Sequence, residues 1–199
     1  MTKRFLLASI LAILLAHLLD GWAYAHLAFP KFGNTDLGRL LRIQGFFPTW
    51  IFPAAALVMT DWPRRAVEGA WGAWRRGVLL LGSAAAGGLA AEAVKILVRR
   101  ERPNATAGAY LFRYWSDRTF STSGLGMASS HAGVAFGALA MLALLFPRGR
   151  PVWFLLAAGC ALSRVAASAH FLSDVTAGAV LGIAVAGLLW RRVPAPATT

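Results

Sequence analysis

Six apolar runs dominate the chain, at about Phe5–Phe29, Phe46–Trp62, Val78–Val98, Ala128–Phe146, Val152–Ala169 and Val175–Trp190. Each approaches the ~20 residues with which a helix crosses a bilayer. In hydrocarbon, every backbone polar group must be satisfied within the segment, which selects helices for such runs. The second run is the shortest and carries Pro48 and Pro53, each lacking a helix hydrogen-bond donor, so five spans is the rival count. Of the 199 residues, 58% are hydrophobic and 14% charged, against ~45–50% and ~25% in soluble domains. That balance excludes intrinsic disorder and argues against a soluble enzyme. Six spans leave no room for a second large domain. The expected fold is an all-α integral membrane bundle of six transmembrane helices in one domain, residues 1–193, with a disordered tail over Pro194–Thr199.

The formal net charge is +12, and the cations lie in the short gaps between apolar runs. No nucleic-acid-binding motif accompanies them, so anionic membrane surfaces and phosphate groups are the expected partners. With the N-terminus in the cytoplasm, one side collects Lys3, Arg4, Arg64, Arg65, Arg75, Arg76, Arg148, Arg150, Arg191 and Arg192. The other carries Lys31, Arg39, Arg42, Arg99, Arg100, Arg102, Arg113 and Arg118. Five of those eight sit in the longest loop, where another task accounts for them, so cytoplasmic termini are expected. Lys3-Arg4, Phe5–Leu19 and Ala23-Tyr24-Ala25 also look like a secretory signal with its cleavage site. Asp20 and Trp22 interrupt that pattern and hydrophobicity resumes to Phe29, so a retained helix is expected. Gly133-x-x-x-Gly137 and Gly178-x-x-x-Gly182 predict close helix packing inside the bundle. The lone Cys160 lies in an apolar run and allows no intrachain disulfide.

Ionisable residues at membrane depth are functional hypotheses by default. Here they gather at helix ends on one expected face: Lys95 and Arg102, Ser129-Ser130-His131, Arg164, His170 and Asp174. Lys95, Arg102 and Arg164 offer three cations to a phosphate dianion, and the arginine fork matches phosphate oxygens. Ser129 and Ser130 open a helix whose free N–H groups favour an anion. His170 and Asp174, four apart, would share one face of a helical turn. A carboxylate holding one imidazole nitrogen leaves the other free to attack, and His131 remains as general acid. The acidic residues of this face, Glu92, Glu101, Asp117 and Asp174, are scattered without ligand spacing. The expected chemistry therefore uses no metal and no cofactor. Glu92, one turn before Lys95, is expected to steady it; His17 and His26 are read as structural, with His17–Asp20 a possible helix pair.

Lys95-x6-Arg102-Pro103, Ala128-Ser129-Ser130-His131 and Ser163-Arg164-x5-His170-x3-Asp174 together resemble the three-part signature of the type 2 phosphatidic acid phosphatase superfamily. The first and third blocks match at every defined position. In the second, Ala128 stands for proline and Ser130 for glycine. The glycine matters if that position needs positive φ or close approach of phosphate to the backbone. The resemblance implies that Lys95, Arg102 and Arg164 bind the phosphate with Ser129 and the backbone of Ser130. It also implies that His170 is the nucleophile, forming a phosphohistidine, with Asp174 orienting it and His131 protonating the leaving oxygen. A periplasm-facing site in a bacterial inner membrane is the implied setting.

The loop Asn104–Met127 contains Tyr110-Leu111-Phe112-Arg113-Tyr114-Trp115, which reads first as an aromatic belt at the membrane surface. If functional, Arg113 and Arg118 would hold a second phosphate or an anionic headgroup. The expected activity is hydrolysis of a lipid phosphate or diphosphate, of the undecaprenyl diphosphate, phosphatidylglycerophosphate or phosphatidic acid type. The rivals are a lipid phosphotransferase or lipid A phosphatase using the same site, and a non-catalytic lipid-binding or transport protein.

Overall fold

The computed structural model describes residues 2–193; the expected disordered tail lies outside them. Among the described residues there are seven α-helices: α1 Lys3–Leu27, α2 Asp36–Ile43, α3 Ile51–Asp61, α4 Arg65–Val98, α5 Ser130–Leu145, α6 Arg150–Ala166 and α7 Leu172–Arg192. Among the described residues there is no strand, only the isolated bridges Arg100–Phe112 and Glu101–Leu125. The fold is all-helical, as the apolar runs require.

The boundaries depart from expectation in three places. The second run opens as a 3-10 turn, Phe47–Trp50, before α3 begins, because Pro48 can only sit where its missing N–H costs nothing. The third run reaches back to Arg65, with non-helical backbone at Gly69 (φ +69°), a conformation that glycine adopts without Cβ strain. The stretch between the first two runs, left as a connection by the sequence, contains α2. Thr35 caps it by accepting from the Gly38 N–H at 3.0 Å.

Three stretches are long and apolar enough to cross a membrane: Lys3–Leu27, Phe47–Val98 (which spans α3 and α4 together) and Leu172–Arg192. Helices α5 and α6, at 16 and 17 residues, extend only ~24–26 Å at 1.5 Å per residue. Helix α1 presents Leu7, Leu11, Leu14 and Leu18 outward and buries only Ser9, Ala16, Asp20 and Ala23. Such a surface suits lipid and not water.

The centre of the bundle is α5, which packs against α4 and α7. The two glycine motifs meet there. A Cβ on Gly182 would come within 2.6 Å of the Gly137 nitrogen and 2.7 Å of the Gly133 carbonyl, while Gly87 of α4 faces Gly133. These glycines let three backbones touch, within one chain, as expected. Leu79, Leu80, Ala84, Leu139 and Met141 fill the core around them. At one end, Asp61 of α3 is gripped by both Nε and Nη2 of Arg76 from α4, and Arg64 stands 3.5 Å away. At the other end, the C-termini of α1, α4 and α6 meet the N-termini of α5 and α7.

Candidate active site

Each residue at that second end is placed by a helix terminus. Lys95 lies in the last turn of α4, which stops at Arg99 in the left-handed region (φ +58°), with the Arg99 N–H returning to the Lys95 carbonyl at 2.9 Å. Ser129 caps α5, its hydroxyl accepting from the Ala132 N–H at 3.4 Å, so Ser130 and His131 are that helix's first residues. Arg164 occupies the last turn of α6. Asp174 lies in the first turn of α7, where its Oδ2 accepts the Phe171 N–H at 2.8 Å.

Lys95 is buried and donates to Glu92 Oε1 at 2.6 Å and to Ser130 Oγ at 2.9 Å. Glu92 therefore steadies Lys95, as the spacing indicated. Ser130 begins a right-handed helix and is not among the residues with positive φ, so the backbone there does not require glycine. Its hydroxyl faces the lysine. Arg102 donates through Nε to the Leu125 carbonyl at 3.2 Å. Arg164 Nε is buried with no protein partner. Arg164, His170, Lys95 and Arg102 all lie close enough to His131 to act on it electrostatically.

His170 Nδ1 stands 3.5 Å from Asp174 Oδ2, and both side chains are buried. One premise of the sequence reading is corrected: the pair does not share a helical turn. His170 precedes α7, which starts at Leu172, because the chain turns through Ser168 (φ +54°) to leave α6. The N-terminal turn of α7 then folds the carboxylate back towards the ring. Burial pushes the His170 imidazole below its ordinary pKa; the Asp174 carboxylate opposes that shift, and the Arg102 and Arg164 charges reinforce it. The ring is therefore neutral at neutral pH, leaving a lone pair on its outer nitrogen.

Asp174 has a second layer that sequence reasoning missed. Its Oδ1 accepts from Arg100 Nη2, which also donates to Ser173 Oγ at 2.6 Å. Asp20, from α1, is fully buried beside them. Its Oδ1 accepts the Ser173 N–H at 2.7 Å, and its Oδ2 receives the Ser173 and Tyr110 hydroxyls, the latter at 2.9 Å. Arg100 Nη1 is 3.7 Å from the same carboxylate. Burial and the bond to Asp20 push the Tyr110 phenol up to about 12. The expected His17–Asp20 pair is present at 3.6 Å but peripheral to this network. The available signal was Asp20 itself, a carboxylate inside an apolar run.

The long loop is organised by Arg99, which is buried and donates to the carbonyls of Arg113, Tyr114, Asp117 and Thr119. Arg113 lies inside the loop, its Nε 3.4 Å from Glu101 and 3.8 Å from Asp117. Arg118 points outward. Tyr114, Trp115 and Phe120 are exposed, in keeping with a surface belt. On the flank of the bundle, a cavity of about 390 Å³ lined by Phe47, Gly88, Leu89 and Val134 runs up to Glu92 and Ser130. Among the described residues, no three His, Cys, Asp or Glu side chains converge as metal ligands would.

Three clustered cations, a buried histidine–carboxylate pair and a second histidine are the parts that phosphoryl transfer through a histidine needs. The sequence profile of the PAP2 superfamily matches residues 76–196, which contain all three motif blocks. The chain belongs to the PAP2 superfamily. No characterised protein and no solved structure matches it in the same comparisons. Membership carries phosphatase-type activity on phosphate esters.

Proposed function

We propose that this PAP2 member is a six-span integral membrane phosphatase that hydrolyses a lipid phosphate or diphosphate at the membrane surface. The observation that carries this reading is the meeting of Lys95, Arg102 and Arg164 with the His170–Asp174 pair at one end of a bundle whose flanks are apolar. Lys95, Arg102 and Arg164 hold the phosphate dianion, and the N-terminus of α5 at Ser129 and Ser130 adds backbone donors. The outer nitrogen of His170 attacks phosphorus as the bond to the leaving oxygen breaks. Asp174 keeps the proton on Nδ1 and stabilises the charge that the ring gains. His131 gives its proton to the leaving oxygen. Water, deprotonated by His131, then splits the phosphorus–nitrogen bond and releases phosphate.

A lipid substrate is favoured by the flank cavity, whose Phe47, Gly88, Leu89 and Val134 lining could hold a chain while its head reaches Ser130 and Lys95. The short α5 and α6 count as spans in this reading because they complete the bundle around α5, with termini cytoplasmic and the site periplasmic. Arg118 is the better placed of the two loop arginines for a headgroup, since Arg113 is engaged by Glu101 and Asp117.

The test is phosphate release by purified protein in detergent, with EDTA present, from undecaprenyl diphosphate, phosphatidylglycerophosphate, phosphatidic acid and lipid A. Release is expected to survive EDTA and to vanish in His170→Ala at unchanged thermal stability. Wild-type rates in that variant would overturn the nucleophile assignment, and phosphate appearing on a second lipid would mark a phosphotransferase.

A further inference from the structure

Helix α2 is strongly two-faced. Leu37, Leu40 and Ile43 are exposed along one side, and Arg39 and Arg42, one turn apart, lie on the side adjoining Ile43. A short helix of this kind lies in a membrane interface with its cations towards water or headgroups. It is not loosely attached. Leu41 packs on Gly159 of α6, and the Cys160 sulfur lies 3.9 Å from the carbonyls of both Arg42 and His131. In the turn after α2, Gly45 sits so near His131 that an added Cβ would come within 2.6 Å of the histidine Cβ.

This docking creates a cleft of about 380 Å³ lined by Arg39, Arg42, Ile43, Phe46 and His131. Of the candidate active-site residues, only His131 lines it. The Arg42 charge reaches Arg164 as well as the cleft, and the nearest carboxylate partner on the helix is the exposed Asp36, 3.6 Å from Arg39. Two exposed arginines bordering one cleft beside a histidine, with the Arg164 charge within reach, call for an anion. That anion is not the transferred phosphate, for which Lys95, Arg102 and Arg164 already provide.

We propose that the cleft between α2 and the start of α5 binds a second phosphate, carried on the leaving group, so that the preferred substrate is a lipid diphosphate. This rests on the phosphatase reading above. His131 protonates the leaving oxygen, so whatever the leaving group carries lies beyond His131, where Arg39 and Arg42 stand. The terminal phosphorus is attacked by His170, the anhydride bond to the bridging oxygen breaks, and that oxygen leaves as part of the lipid monophosphate with the proton from His131. Water completes the cycle by releasing inorganic phosphate. Arg42 and Arg39 stabilise the monophosphate as it departs, and Ile43 and Phe46 border the first carbons of its chain.

Two measurements test this. In the first, inorganic pyrophosphate and inorganic phosphate are titrated calorimetrically into His170→Ala protein, with and without Arg42→Gln. Pyrophosphate is expected to bind about tenfold tighter than phosphate, from a charge-assisted arginine contact, and Arg42→Gln should erase the difference while Arg42→Lys restores part of it. Equal binding of the two ions, or equal weakening of both by Arg42→Gln, would overturn the proposal. In the second, kcat/KM is compared for farnesyl diphosphate and farnesyl phosphate, which share a chain. The diphosphate preference should fall about tenfold in Arg42→Gln; an unchanged ratio would overturn the proposal. Pyrophosphate discrimination without phosphate release from either lipid would support the cleft and overturn the phosphatase reading. Arg42 is exposed, so its replacement does not threaten the fold.

Discussion

Asp20→Asn is the substitution on which the account of the site depends most. Asp20 is buried in a helix that otherwise faces outward, and its carboxylate accepts the Ser173 N–H, the Ser173 hydroxyl and the Tyr110 hydroxyl beside Arg100. Asparagine preserves the shape and one acceptor oxygen. It also places an NH2 group among donors and removes the charge that Arg100 faces on the side away from Asp174. Two donors lose their acceptor, at ~1–3 kcal/mol each, and the hydroxyls recover part of that by rotating. A net loss of about 2–4 kcal/mol follows, somewhat below the ~3–5 kcal/mol of a fully broken buried ion pair, because Arg100 keeps Asp174. For a chain of this size the melting midpoint should fall roughly 5–15 °C, followed by tryptophan fluorescence in detergent. Turnover should also fall, by about tenfold if the Asp174–His170 contact weakens by ~1.4 kcal/mol. Leu18→Ala, on the exposed face of the same helix, is the control and should change little. A midpoint within about 1 °C of wild type, with full turnover, would refute the idea that α1 supports the catalytic pair.

Other consequences are equally direct. Burial holds His170 below the usual histidine pKa, and the attacking ring must be neutral, so kcat/KM should fall with decreasing pH only below about 6.5. Asp174 raises that pKa, so Asp174→Asn should move the acid limb to still lower pH while reducing the maximum rate; an acid limb above 7 in wild type would contradict the burial argument. Gly133→Val should cost at least ~1–3 kcal/mol and lower the yield of folded protein, since its side chain would strike the Gly87 backbone. Asp61→Asn leaves Arg76 without its buried carboxylate partner, so the melting midpoint should drop. KM in the surviving folded protein should not change, because Asp61 pairs one residue from α4 that lies nineteen positions, or ~28 Å of helix, from Lys95.

The parts of this molecule that were legible from sequence are those set by pattern. Apolar runs gave the helices, glycine spacing gave the contact between α5 and α7, and motif spacing collected Lys95, Arg102, His131, Arg164, His170 and Asp174 at one end. What was not legible depends on how elements return to one another. The four-residue step from His170 to Asp174 is also a helical step, and only the turn at Ser168 reveals that the ring approaches from outside α7. Arg99 and Arg100 are adjacent and chemically identical, yet one holds a loop and the other a carboxylate pair; no local feature distinguishes them. Helix α2 was invisible because eight residues between two long apolar runs read as a connection, and its amphipathic pattern spans only two turns.

The way Arg99 holds the loop bears on how such a protein can change its preferences. Its guanidinium grasps main-chain oxygens of Arg113, Tyr114, Asp117 and Thr119, groups that every amino acid supplies. The frame of the loop is thus largely indifferent to the side chains it displays. Tyr114, Arg118 and Phe120 can be exchanged one by one at the membrane surface while the chain beneath keeps its path; Trp115, whose ring lies 5.2 Å from the Arg99 guanidinium, is the exception. A lineage could in this way explore new headgroups without disturbing the machinery a few residues away.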